Sequence, residues 1–220
     1  MGQAIARRLA ERPDLGLVGI WARDTDLDAL VDAADVVIDF SLPAGTEQVL
    51  QAVTRHAKPL VCGVSGLNDA QMRQLDAVAA QVPVVYDRNM SLGIAVLERA
   101  VRDAVASLGP DFAVVIAETH HVHKKDAPSG TALKLGEAVI QAQAAPGGRE
   151  IEYRVERQGE VPGDHEVIMT SPVELLSFSH SVTSRDVFAD GALHAACWLL
   201  GRPTGRYSMG DVLLRNPGAE

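Results

Sequence analysis

The sequence predicts an α/β fold in two parts: a doubly wound parallel sheet over residues 1–90, completed by 185–220, and an α+β part over 91–184 built on a mainly antiparallel sheet. Three observations carry this expectation. Up to about residue 90, short apolar runs alternate with amphipathic stretches of helical spacing, the signature of strand–helix–strand units. Beyond residue 110, several runs alternate apolar and polar residues with a period of two, as in an antiparallel sheet with one covered face. The chain then returns to an apolar helical pattern near its end.

Taken in order, GQAIARRLAER (2–12) places Ile5, Leu9 and several alanines on one face and predicts a helix. LGLVGIW (15–21) predicts a strand, and LDALVDA (27–33) a short helix. DVVIDFS (35–41) predicts a buried strand, followed by a turn with Pro43 and Gly45 and a helix to about His56. PLVCGVSG (59–66) repeats the design as strand and glycine-flanked turn, a helix spans Asn68 to Val82, and PVVYDRN closes the series. Units of this kind place a ligand crevice at the carboxyl ends of the strands. Past Met90 the spacing gives a long helix over 92–108, a strand FAVVIAETHH and a helix SGTALKLGEAVIQAQ. Strand-like segments IEYRVERQ, HEVIMTS and VELLSFSHSV follow, then a helix beginning FADGALHAACWLLG and a short tail. The sequence contains no internal repeat, low-complexity tract or long linker.

Composition narrows the function classes. A net charge of −9 argues against nucleic acid as the main partner, while a local cationic pocket for a small anion remains compatible with it. Every apolar run is broken well before the ~18 residues that a membrane span requires. With no secretory leader pattern, and with Cys62 and Cys197 in apolar surroundings off any metal spacing, the expectation is a cytoplasmic protein with two buried free thiols.

The segment ETHHVHKKDAPSGTA (118–132) carries the chemistry. A strand ends near His120, and a helix begins around Ser129 or Gly130, with Asp126 and Ser129 as candidate caps and Pro128 suited to the entry. The first amides of that helix, at Gly130 and Thr131, point towards an anion with the help of the helix dipole, and Lys124 and Lys125 add positive charge. A histidine there donates a proton near neutral pH. Two other readings stand beside this one. The three histidines could ligate a metal, although His120 and His121 alternate in direction along a strand and the lysines repel a dication; or the loop is merely solvated.

The same segment resembles the signature of the 4-hydroxy-tetrahydrodipicolinate (dihydrodipicolinate) reductase family, roughly E-x-H-H-x-x-K-x-D-x-P-S-G-T-A, and matches it at every fixed position. VVIDFSLPAGT, CGVSG, RNMSLGI, RQGEVPGDHEV, SRDVFADGALHAACWL and YSMGDVL resemble further family segments in family order. The resemblance implies a Rossmann-like dinucleotide-binding domain over 1–90 with 185–220, and a substrate-binding and tetramerisation domain over 91–184. It implies reduction of an unsaturated, nitrogen-containing ring with two carboxylates by NADPH or NADH, in lysine and diaminopimelate biosynthesis. By resemblance His120 is the general acid, Lys124 supports it and binds a carboxylate, and His121, Ser129, Gly130 and Thr131 hold the substrate. Gly2, Arg23, Gly63, Val64, Ser65, Asn89, Met90 and Arg185 correspond to cofactor-binding positions, Gly66 completes the Gly63 turn, and no metal is implied. His165, His180 and His194 take packing or surface roles. Relatives are homotetramers.

The chain departs from that pattern in three places. The first strand and most of the loop G-x-x-G-x-M-G are missing, and Met1-Gly2 correspond to the loop's last two residues, so the expectation is that translation begins upstream. After the second strand stand Ala22, Arg23 and Asp24, which leans towards NADPH through Arg23. Met90 occupies a position that is usually aromatic. Three alternative functions follow: a cofactor-less dicarboxylate-binding homologue, a metal-dependent hydrolase, and a dehydrogenase for another small amino or keto acid.

Overall fold

The computed structural model describes residues 1–143 and 150–214; the end of the expected C-terminal tail, 215–220, lies outside them. In chain order the elements are α1 (Gly2–Leu9), α2 (Leu27–Ala33), β1 (Val37–Asp39), α3 (Pro43–Arg55), β2 (Leu60–Cys62), α4 (Asp69–Ala79), β3 (Pro83–Tyr86), α5 (Leu92–Leu108), β4 (Ala113–His120), α6 (Gly130–Ala142), β5 (Glu152–Arg157), β6 (Asp164–Thr170), β7 (Leu175–Ser181), α7 (Asp186–Leu199), β8 (Gly205–Tyr207) and α8 (Met209–Val212). They form two compact units, Met1–Leu92 with Asp186–Glu220, and Gly93–Arg185.

The first unit is an all-parallel sheet in the order β1-β2-β3-β8. β1, β2 and β3 are mainly apolar because both faces of the sheet are covered. One face packs Val49, Leu50 and Val53 of α3 and Leu75 and Val78 of α4 against Leu60, Cys62 and Val84. On the other, Ile5 of α1 meets Ala189 and Leu193 of α7, with Ile38 and Phe40 alongside. An ion pair from Arg8 to Asp190 at 2.7 Å ties the two helices at their rim. The α4 start is closed by a capping box, in which Asn68 accepts from the Gln71 amide and Gln71 accepts from the Asn68 amide, both at 3.0 Å.

The expected strand over 15–21 does not form. Residues 15–20 make no ladder, and Leu17, Val18 and Ile20 stand 50, 51 and 49% exposed. A strand is defined by backbone partners, and among the described residues none lies beside this segment. Between it, α1 and the β1 edge runs an apolar cavity of about 510 Å³, lined by Ile5, Leu9, Trp21, Val37, Phe40 and Leu193 among others. β8, absent from the sequence reading, completes the opposite edge of the sheet.

The second unit is a mixed sheet in the order β5-β4-β6-β7, parallel between β4 and β5 and antiparallel elsewhere. Along α5 the buried residues Ile94, Leu97, Val101 and Val105 recur at helical spacing, as do Ala132, Leu135 and Val139 along α6. Both stripes pack on one sheet face against Val114, Ile116, Val167 and Met169. Period-two alternation therefore fixes the direction of every β4 side chain: Val114, Ile116, Glu118 and His120 are all buried on the covered face.

Candidate active site

The buried face of β4 is apolar until its last turn, where it delivers an acid and an imidazole. Glu118 is 2% exposed and His120 is 7% exposed. The sheet register brings His165 of β6 opposite Glu118, and Arg157 of β5 beside His120. Glu118 accepts the Ser129 amide through both carboxylate oxygens at 3.1 Å. Arg157 approaches Glu118 Oε1 at 3.4 Å through Nη1 and 3.5 Å through Nη2. His120 Nδ1 lies 3.6 Å and His165 Nε2 3.7 Å from Glu118 Oε2, charge contacts rather than hydrogen bonds. The two imidazoles meet edge to face at 5.0 Å.

The loop 121–128 is fastened to this cluster by Arg157, whose Nε donates to the Lys124 carbonyl at 3.2 Å and Nη2 to the Asp126 carbonyl at 2.5 Å. Lys124 forms an ion pair with Asp126 at 2.8 Å, so Asp126 serves the lysine and not the helix cap. Ser129 is the cap: its hydroxyl accepts the Ala132 amide at 3.1 Å and contacts His165 Nε2 at 3.2 Å. Gly130 opens onto space, where an added Cβ would meet nothing within 4 Å. Thr131 follows in the first turn of α6, and His121 is half-buried just past β4, its ring 6.0 Å from that of His123. Gly163, with φ +150°, closes over His120; a Cβ there would lie 3.1 Å from Nε2.

Electrostatics follow from this packing. Burial pushes His120 below the usual imidazole range; Glu118 opposes that shift, and Lys124 and Arg157 add to it. His165 is driven down to about 3, first by burial and then by the neighbouring histidines and Lys124. For Asp126, burial is outweighed by the hydrogen bond and charge of Lys124, and its carboxyl is held low. Glu118, His120 and His165 have donor atoms within 4.8 Å of one another, a set that could ligate a metal by residue type. Glu118 already serves a guanidinium and a helix amide, so a dication would have to sit against Arg157. The arrangement suits an anion better: imidazoles, an ammonium and a helix N-terminus face the same loop.

Sequence reasoning missed Glu118 and Arg157 as site residues and assigned His165 to packing or surface. The structure buries His165 against Ser129, inside the cluster. Only Glu118 left a local signal, an acid on the buried phase of an apolar alternation.

In the first unit, Gly63 and Ser65 lie in the turn after β2, and Gly66 there adopts φ +78°. A Cβ at Gly63 would come within 2.4 Å of the Phe40 ring, so any larger residue there would require that ring to move. Val64 and Met90 are buried, so the chain presents them through their backbone alone. Asn89 donates its amide to Asp87 and accepts that of Ser91, a tight turn at the end of β3. Gly2 starts α1, whose N-terminus has no side-chain cap. Arg23 is exposed on a turn fastened by Thr25, whose hydroxyl accepts the Ala22 amide at 2.7 Å. By chemistry, an uncapped helix N-terminus, a glycine turn and an exposed arginine are groups that could hold a dinucleotide phosphate and ribose. Arg185, in the second unit, is exposed just before α7. Cys62 is a buried thiol pushed up to about 12 by burial, whereas Cys197 is only half-buried. Among the described residues no helix is long and apolar enough to cross a membrane.

Comparison with known proteins places these observations. The family model "Dihydrodipicolinate reductase, N-terminus" matches residues 1–90, and "Dihydrodipicolinate reductase, C-terminus" matches 93–213. The chain is 42% identical to a 4-hydroxy-tetrahydrodipicolinate reductase from Xanthomonas campestris pv. campestris, covering 97% of this chain and 93% of that one. Its fold is similar to the dipicolinate-bound dihydrodipicolinate reductase of Paenisporosarcina sp. TG-14, with TM-score 0.77, 20% identity and coverage of 96% and 95%. It is also similar to GenD2 from gentamicin A biosynthesis in complex with NAD, with TM-score 0.58, 13% identity and coverage of 95% and 86%. Two family models that together span nearly the whole chain, and a relative this similar along its length, establish that the chain belongs to the dihydrodipicolinate reductase family.

Proposed function

We propose that the chain reduces 4-hydroxy-tetrahydrodipicolinate to tetrahydrodipicolinate with a nicotinamide dinucleotide as reductant. The observation that carries this reading is the meeting of a buried, neutral-leaning His120 with Lys124 and the α6 N-terminus at one loop. A dicarboxylate entering there exchanges the Asp126 partner of Lys124 for one of its own carboxylates. The α6 N-terminus at Ser129, Gly130 and Thr131, with His121, receives the other. Two negative charges beside His120 raise its proton affinity, so the ring becomes an imidazolium only once substrate is present. His120 then gives that proton to the substrate ring. The dinucleotide, when bound, supplies the hydride; Gly2, Arg23, Gly63, Val64, Ser65, Asn89, Met90 and Arg185 are the residues assigned to holding it. Arg23 favours the extra phosphate of NADPH.

On this reading the first unit is the dinucleotide-binding domain and the second the substrate domain. The second also forms a homotetramer through the sheet face opposite α5 and α6, where Val115, Ile168 and Leu175 point away from the helices. The enzyme works in the cytoplasm, in keeping with two free thiols. The deciding assay supplies the substrate with NADPH and NADH in turn and titrates pyridine-2,6-dicarboxylate as a competitor. Reduction with competitive inhibition is expected; no reduction with either nucleotide, and no binding of the diacid, would refute the reading.

A further inference from the structure

Glu118 has no role in the assignments above, yet it is the only buried acid among the described residues of its unit. Its two oxygens receive the first amide of the α6 cap and the Arg157 guanidinium, and they face two imidazoles. Through Arg157 the same carboxylate is linked to the main chain at Lys124 and Asp126. Four parts of the site therefore converge on one side chain: the acid His120, the loop bearing Lys124, the start of α6, and His165 behind Ser129.

We infer that Glu118 is a positioning residue, which sets the loop and α6 N-terminus for the diacid and keeps His120 able to take up a proton. The inference rests on the diacid reading for the identity of the ligand, but not for the state of His120. The charged and titratable groups facing His120 are Glu118 on its own strand, Lys124 and Asp126 from the loop, Arg157 from β5 and His165 from β6. Burial, Lys124 and Arg157 oppose protonation, and only Glu118 and Asp126 favour it; Asp126 is already paired with Lys124. A neutral side chain of the same shape at 118 would still accept the Ser129 amide but would leave Arg157 without its anion and His120 without its nearest support.

The test follows the histidine NMR titration of the full chain, with the His120 signal identified by its loss in His120→Gln, alongside calorimetric titration of pyridine-2,6-dicarboxylate. Glu118→Gln is expected to move the His120 titration about one unit lower, as for loss of an opposite charge at this range. It should also weaken the diacid about tenfold and shift the alkaline limb of the kcat/KM profile, where His120 loses its proton, the same way. Arg157→Gln, which releases the loop but removes a cation, is expected to weaken the diacid similarly while moving the His120 titration upward. A folded Glu118→Gln with an unchanged His120 titration and affinity overturns the inference. Should that variant fail to fold, unchanged diacid affinity in Arg157→Gln overturns it instead. Wild-type protein that does not bind the diacid sinks the diacid reading alone, and the direction of the His120 shift then decides the role of Glu118.

Discussion

Burial and two nearby cations leave His120 uncharged at neutral pH in the ligand-free protein, which is a poor state for an acid and a good one for a site that must discriminate. On the proposed reading, protonation waits on the arrival of a dianion, so the proton is available only when there is something to protonate. Replacing His120 with Gln should lower turnover by ~10²–10⁴ with diacid binding largely kept, as for loss of a general acid. Equal turnover in wild type and variant would remove His120 from the chemistry. Lys124→Ala should impair turnover and diacid binding together, because on the proposed reading the same ammonium holds the carboxylate and stands beside the acid; a defect confined to nucleotide affinity would contradict the assignment. These residues were legible because they are neighbours in the chain, between 120 and 131. Arg157 and His165 were not, because they reach Glu118 only through strand register, which no local spacing reveals.

At the scale of elements, amphipathic spacing read the helices well, since a buried stripe leaves a period that any window detects. Strands were harder for two opposite reasons. The segment 15–21 has the composition of a strand but no ladder partner among the described residues, and β8 pairs with β3 but has only three residues, too few to show alternation. Ser129 shows the converse, where one hydroxyl fixes the start of α6 and its position in the site together. Close packing of elements gives a sharper test. In α7, an added Cβ at Gly191 would come within 1.7 Å of the Met90 carbonyl oxygen, a backbone atom with nowhere to retreat. Gly191→Ala should therefore destabilise by about 3 kcal/mol through overpacking. Gly16→Ala, in open space, serves as the control and should be near neutral. Urea unfolding of both variants checks the contrast; matching midpoints would mean that α7 does not approach the Met90 main chain as closely as described.

At the scale of the whole molecule, a protein of net charge −9 carries its cationic loop beside histidines whose burial favours the neutral ring in the folded state. His165 makes the consequence measurable. Its folded pKa of about 3 lies below the ordinary value of 6.5, so between those limits the unfolded chain binds a proton that the folded chain refuses. Stability is then fully present above about pH 6.5, declines as pH falls, and levels off below about 3. By pH 4.5 the loss from this one residue is on the order of 3 kcal/mol, a large share of a typical domain's margin. His120 and His180 are shifted in the same direction and steepen the decline. His165→Gln keeps a polar atom for Ser129 and cannot titrate. It should be somewhat less stable than wild type at pH 7, yet lose less between pH 7 and 4.5. Denaturant unfolding of both proteins across that range reads the difference directly. Parallel curves would show that His165 takes up its proton without cost, and the buried, neutral cluster on which the site depends would then have to be redrawn.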